Sequence, residues 1–101
     1  MSPLRARMIE DMTLAGLAVG TQKIYTQAVY RLAKHYRRSP DQLSEEEVRA
    51  YLLSLRQQGV ARGTFQTSQY GLRFLYHHTL GRAWGLFGGK KDRLAAAEAA
   101  T

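Results

Sequence analysis

Three observations on this 101-residue chain predict an all-α fold, a bundle of four helices laid out as two helical hairpins. Apolar residues recur at three- and four-residue spacing in four separate stretches, the pattern of one-sided helices. Prolines number only two and runs of Val, Ile or Thr are few, which disfavours sheet. A hexapeptide, Gly-(Leu/Val)-Ala-x-Gly-Thr, occurs as Gly16-Leu17-Ala18-Val19-Gly20-Thr21 and again as Gly59-Val60-Ala61-Arg62-Gly63-Thr64. The copies lie 43 residues apart, and the likeness continues through Ala28 and Gly71, Val29 and Leu72, Leu32 and Leu75, His35 and His78. One pair falls short of the three or more units of a solenoid, so chance similarity between two glycine helix stops is the competing account.

The first helix opens at Ser2-Pro3, a capping hydroxyl followed by proline at a position that needs no amide. Leu4, Met8, Ile9 and Met12 form its apolar stripe, and Gly16 stops it. The second helix is expected from about Ala18 to Arg37, with Ile24, Tyr25, Ala28, Val29, Leu32, Ala33 and Tyr36 on a broad inner face. Its outer face carries Gln22, Lys23, Thr26, Gln27, Tyr30, Arg31 and Lys34, a mixture suited to phosphates and base edges alike. Ser39-Pro40-Asp41 ends that helix, because proline disfavours helical geometry in the residue before it, and Leu43 is expected to plug the bundle.

Ser44 with Glu47 reads as a capping box for a third helix, whose Val48, Tyr51, Leu52 and Leu55 point inward before a stop at Gly59. Acids crowd its first turn, where the helix dipole favours them. The fourth helix is expected from Arg62 to Thr79, with Phe65, Leu72, Leu75 and Tyr76 in the core. Gln69 interrupts that stripe, and is expected either to be half-buried with a hydrogen-bond partner or to mark a gap in the contact face. Trp84 and Phe87 then cover the open end of the bundle, with stacking of Trp84 on a base as the lesser alternative. The resulting division is a domain over residues 1–87 and, over 88–101, a flexible basic linker with an Ala-rich tail.

Charge is segregated along the chain. Between Met12 and Pro40 stand Lys23, Arg31, Lys34, Arg37 and Arg38 with no acid, and from Val48 to Lys91 stand Arg49, Arg56, Arg62, Arg73, Arg82, Lys90 and Lys91, again with none. The net charge of +7 is therefore concentrated on the two helices that the hexapeptides open, and it points to a polyanionic partner. No cysteine is present, which excludes disulfides and thiolate metal sites and fits a cytoplasmic protein. No apolar stretch approaches the roughly 18 residues of a membrane span.

Catalytic chemistry is not legible. His77 and His78 are adjacent, hence about 100° apart on a helix, the wrong geometry for one metal. Neither Gly-x-x-x-Gly spacing leads into the lysine of a phosphate loop. His35-Tyr36-Arg37-Arg38 contains residue types used in phosphotyrosine chemistry, but it falls in the last turn of a packed helix, where cations complement the dipole. No cofactor, metal or small-molecule substrate is expected.

The run Met8-Ile9-Glu10-Asp11-Met12, Gly16-Leu17-Ala18-x-Gly20-Thr21-Gln22-x-x-Tyr25, Leu32-Ala33-x-His35-Tyr36, Ser39-Pro40-Asp41-Gln42-Leu43-Ser44, Tyr51-Leu52-Leu53, Gly59-Val60-Ala61-Arg62-Gly63-Thr64-Phe65, Phe74-Leu75-Tyr76 and Thr79-Leu80-Gly81-Arg82-x-Trp84 closely resembles the N-terminal core-binding domain of tyrosine recombinases, or phage integrases. The resemblance covers residues 3 to about 91. It implies a SAM-like four-helix bundle forming half of a clamp around double-stranded DNA, joined by a linker to a separate catalytic domain. It also implies recombinase partner subunits in a synaptic complex and a monomer in the absence of DNA.

By position, the resemblance assigns DNA contact to Gly20, Thr21, Gln22 and Lys23 on the second helix, to Arg62, Gly63, Thr64, Gln66, Thr67 and Tyr70 on the fourth, and to Lys90 and Lys91 in the linker. Lys23, Arg62, Lys90 and Lys91 are expected at phosphates, and Gln22, Gln66, Thr67 and Tyr70 at base edges. The nucleophile and its partners belong to the other domain, so this chain is expected to bind DNA without cutting it, in a protein that performs DNA recombination and integration. The chain departs from the family at Ala18-Val19 and Ala61-Arg62, where many relatives have Ser-Pro. The alternative reading is a helical protein-interaction module that self-associates or pairs with a full-length recombinase.

Overall fold

The structure is a computed structural model that describes residues 3–87. Four α-helices follow in order: α1 (Pro3–Leu14), α2 (Val19–Tyr36), α3 (Glu45–Gln57) and α4 (Arg62–Arg73). A 3₁₀ turn, Pro40–Gln42, links α2 to α3; a π-helical segment, Phe74–Thr79, extends α4; and a 3₁₀ turn, Gly85–Phe87, follows it. The described residues thus form the all-α bundle of four helices that the sequence predicts. Lys90, Lys91 and the whole segment 88–101 lie outside the described residues.

The core forms where the inner stripes meet. Met8 and Met12 of α1, Leu32 of α2, Val48, Tyr51 and Leu52 of α3, and Leu72, Leu75 and Tyr76 all pack into one cluster, with Leu43 and Phe87 closing it. Leu43 is the expected plug. The last turns are pinned by aromatic and charged contacts together. Trp84 stacks on Tyr76 at 4.4 Å, Phe87 lies 6.2 Å from the same ring, and the Tyr76 hydroxyl donates to the Pro40 carbonyl at 2.7 Å. The Arg82 guanidinium donates to the carbonyls of Leu43 and Asp41.

The hexapeptide repeat is a repeat of conformation. Gly16 and Gly59 both adopt left-handed φ values, 80° and 77°, which a side chain would oppose. Each is followed by the same pair of helix-closing hydrogen bonds: Gly16 to Thr13 and Leu17 to Met12 in the first copy, Gly59 to Arg56 and Val60 to Leu55 in the second. Each leads to an extended alanine, Ala18 (φ −63°, ψ 151°) or Ala61 (φ −56°, ψ 145°), that begins the next helix. The closing bonds are those of ordinary glycine stops, so the likeness of the two copies rests on the extended alanine that follows each and on the helices they open.

The equivalent residues of the two copies then meet. α2 and α4 form the most extensive helix contact in the bundle. They cross at Gly71, where a β-carbon would lie 3.0 Å from Tyr25 Cα, 3.1 Å from Tyr25 O and 3.2 Å from Ala28 Cβ. Ala28 and Gly71 are matching positions of the repeat, so the small residue of each copy lets the other backbone approach.

Three expectations need correction. Ile24, read as an inner residue of α2, is 47% exposed, whereas Thr26, read as outer, is buried and bonds back to the carbonyls of Gln22 and Lys23. The close approach at Ala28 rotates α2 so that Thr26 sits under α1 and Ile24 looks outward. The fourth helix reaches Thr79 as expected, but from Phe74 it widens, with the Leu80 amide bonding five residues back to Leu75 at 2.8 Å. Apolar periodicity over one or two turns does not separate this geometry from an α-helix. Gln69 is half-buried, as expected, but its side chain has no hydrogen-bond partner among the described residues.

At α3 the capping box is complete: the Glu47 amide donates to Ser44 Oγ at 3.1 Å, and the Ser44 amide donates to Glu47 Oε1 at 2.9 Å. Glu47 also pairs with Arg38, and its backbone carbonyl accepts from the Tyr36 hydroxyl. The Ser44 amide chiefly, with Arg38 behind it, holds the Glu47 carboxyl below its ordinary range against the opposing effect of desolvation. A carboxyl lowered by folding gives stability that is present above its unfolded pKa and is lost as pH falls through the folded one. Glu47→Gln is therefore expected to lower the melting temperature at about pH 7 and to narrow the gap between the wild-type values at about pH 7 and about pH 3. An unchanged gap in thermal denaturation would remove Glu47 from the acid response.

Candidate nucleic-acid interface

The starts of α2 and α4 are alike in what they lack. Neither Ala18 nor Ala61 supplies a side-chain cap, and neither helix has an acid in its first turn. The first intrahelical amides engaged at the two starts are those of Gln22, bonding to Ala18, and Phe65, bonding to Ala61, both at 2.9 Å. The amides of Val19, Gly20 and Thr21, and of Arg62, Gly63 and Thr64, carry the positive end of each helix dipole outward. α3 is the opposite case, with a capping box and Glu45, Glu46 and Glu47 filling its start. Glu45 is used again, accepting the Leu86 amide at 2.9 Å.

The predicted contact residues are placed as follows. Gly20, Lys23, Arg62, Gly63, Thr64 and Gln66 are exposed, as is Tyr70, while Thr21 and Thr67 are half-buried. Gln22 is half-buried and its amide nitrogen donates to the Leu17 carbonyl at 2.9 Å, so one end of it braces the loop before α2. Thr67 donates to the Thr64 carbonyl at 3.0 Å, which leaves its oxygen as an acceptor.

Two grooves flank the α2–α4 crossing. The larger, about 520 Å³, has Ile24, Gln27, Ala28 and Arg31 on one wall and Gly63, Thr64, Thr67 and Ser68 on the other. The smaller, about 250 Å³, is lined by Tyr25, Tyr70, Arg73, Phe74, His77 and His78, with Leu17 at its end. Under the 43-residue repeat Gln27, Arg31 and Ser68 of the first correspond to Tyr70, Phe74 and Tyr25 of the second. The grooves are thus related places with different chemistry, one polar and one aromatic. Gly63, Thr64 and Thr67 are brought together in the polar groove, and Tyr70 belongs to the aromatic one. Gln66, Gly20, Thr21, Gln22 and Lys23 line neither.

Gln27 and Arg31, read from the sequence only as part of the polar face of α2, and Arg73, not assigned there to contact, stand on the walls of these grooves. The first two fall one turn apart on that face. Arg31 and Arg73 are exposed and make no ion pair among the described residues.

The sequence model described as "Phage integrase, N-terminal SAM-like domain" matches residues 4–86. The chain belongs to this family. A protein of Sinorhizobium fredii (strain NBRC 101917 / NGR234) named as an integrase/recombinase is 35% identical over 85 residues. The match takes in 83% of this chain and 28% of that protein, so the chain spans little more than a quarter of its relative's length. No solved structure matches.

Within this integrase domain, the residues that first suggested other chemistry have structural work. The Tyr36 hydroxyl donates to the Glu47 carbonyl at 2.6 Å, and burial, reinforced by Glu47 and countered by Arg38, pushes its phenol up. His35 packs edge-on against Tyr36 and Tyr51. His78 stacks on Phe74 at 4.7 Å, and no group of three potential metal ligands occurs among the described residues. Trp84 is occupied by Tyr76 and by the Arg82 guanidinium at 5.4 Å, so its ring belongs to the closure of the bundle. No described helix is long and apolar enough to cross a membrane.

Proposed function

We propose that this chain is the DNA-binding, core-binding part of a site-specific recombinase, seated on one half-site through the starts of α2 and α4. The observation that carries this reading is the pair of uncapped, acid-free helix starts on either side of a crossing whose flanking grooves hold the unpaired cations Arg31 and Arg73. Helix N-termini of this kind suit phosphate oxygens. Residues 1–87 form the binding unit, and Lys90 and Lys91 follow the backbone beyond it. Cutting and joining fall to another part of the full-length protein, and other recombinase subunits assemble around the same DNA.

An NMR titration of the labelled chain with a short duplex tests the proposal. Amide shifts are expected at residues 20–23 and 62–70. The affinity is expected to fall on the order of 10²-fold between about 50 and 200 mM salt, as release of counterions from roughly four phosphates requires. Shifts confined to the acidic start of α3, or none at either salt, would sink it. The protein-interaction reading would then take its place, checked by self-association without DNA.

A further inference from the structure

The two grooves at the α2–α4 crossing are equivalent by repeat but not by chemistry, and a DNA surface built from them is not expected to read sequence equally on both sides. We infer that base discrimination lies in the polar groove and is carried by Ile24, Gln27 and Arg31, a strip on the α2 wall that the first-turn residues do not include. This inference rests on the DNA-binding reading and adds to it where sequence is read and which bases are preferred.

The three side chains differ in kind, and each has a base it suits. A guanidinium pairs with guanine O6 and N7, a carboxamide with adenine N6 and N7, and an apolar side chain meets the thymine methyl. Arg31 is exposed and free of any ion pair among the described residues, so its fork is available. Gln27 is exposed, unlike Gln22, whose amide nitrogen is held by Leu17. Ile24 is 47% exposed although the apolar pattern assigns it to the core, and its place on this wall gives that exposure a use. Opposite them, Thr64 and Thr67 present small side chains that leave the groove open. The aromatic groove offers rings, imidazoles and Arg73 but no carboxamide, and fits backbone and sugar contact better than readout.

Spacing sharpens the expectation. Gln27 and Arg31 are four residues apart, about 6 Å along the helix at 1.5 Å per residue. Duplex rise is about 3.4 Å per base pair, so the two side chains reach bases roughly two steps apart. The preferred half-site therefore holds a guanine and an adenine within about two base steps of each other.

The test selects duplexes from a random-sequence pool with the 101-residue chain, then titrates selected and scrambled duplexes with the wild type, Arg31→Lys, Gln27→Ala and Lys23→Ala. Both strip residues are exposed, and circular dichroism melts verify that the variants stay folded. Arg31→Lys keeps the charge and so isolates geometry from neutralisation. It is expected to weaken the selected duplex about tenfold or more while changing the scrambled one by less than about threefold. Gln27→Ala follows the same pattern, whereas Lys23→Ala weakens both duplexes alike. If duplexes bind but the pool yields no guanine–adenine pattern, or Arg31→Lys weakens both duplexes equally, the assignment of readout to this strip is overturned while DNA binding stands. If the wild type binds no duplex at any salt, the DNA-binding reading itself falls.

Discussion

Gly71→Val is expected to lower the melting temperature by roughly 10–20 °C, the counterpart of about 3 kcal/mol in a domain of this size. Even the first added carbon would lie 3.0 Å from Tyr25 Cα, and a backbone atom in a packed helix does not move aside as a side-chain tip does. Valine adds two methyls to that clash, and separating α2 from α4 loosens the largest helix contact in the bundle. Gly71→Ala is expected to fall between valine and wild type, because better helix propensity offsets part of the crowding. Exchanging the two small residues, Ala28→Gly with Gly71→Ala, relieves only the 3.2 Å contact and leaves both contacts to Tyr25, so it rescues partially. Gly20→Ala and Gly63→Ala serve as controls, since a β-carbon there meets nothing within 4 Å, and each is expected to change stability by less than about 1 kcal/mol. Thermal melts of the five variants check the whole series. Equal stability for Gly71→Val and Gly63→Ala would disprove the close crossing.

Tyr76→Ala is expected to cost roughly 3–5 kcal/mol, and Tyr76→Phe about 1–2. The ring is fully buried against both Trp84 and Phe87, so its removal leaves a cavity and takes one member from a cluster of three aromatic rings. Loss of the hydroxyl alone strands the Pro40 carbonyl that it caps. Because Pro40 sits in the turn that Arg82 also grips, the alanine variant is expected to loosen the α2–α3 connection as well as the core. Burial, partly countered by Arg82, raises the Tyr76 phenol above its ordinary value of 10.0. An acid raised by folding contributes stability that is full below its unfolded pKa and is lost as pH rises through the folded one, so the fold weakens in alkali. Tyr76→Phe is expected to blunt that loss without abolishing it, since burial raises Tyr36 and Tyr51 in the same direction. Urea denaturation at neutral and alkaline pH measures both effects, and identical alkaline profiles for wild type and Tyr76→Phe would exclude the phenol as a contributor.

Where the determining contacts are local, the sequence was a sufficient guide. Ser44 and Glu47 are three residues apart, and their box formed as read. Gly16 and Gly59 close helices through bonds that span five residues, and the repeated hexapeptide adopts one conformation twice. Misreadings arose where a distant segment decides. The rotation that exposes Ile24 and buries Thr26 is set by Gly71, more than 40 residues away in sequence. The π-helical widening after Arg73 accompanies the reach of Tyr76 to Pro40, a contact 36 residues apart. The candidate site divides in the same way. Uncapped helix starts and segregated charge were legible as local features, whereas the grooves exist only once α2 and α4 cross, and Gln27 and Arg31 could not be singled out from their face before that.

The crossing also works as a pair of calipers. Val19 and Arg62, the first residues of α2 and α4, each stand nine residues from the pivot at Ala28 and Gly71, which makes the two arms equal at roughly 14 Å. The arms alone set a ceiling of about 30 Å on the separation of the two tips. One turn of duplex measures about 34 Å. On the proposed seating, a single copy of this domain would gauge less than one turn of DNA, and any longer footprint would have to be measured out by a second protein surface.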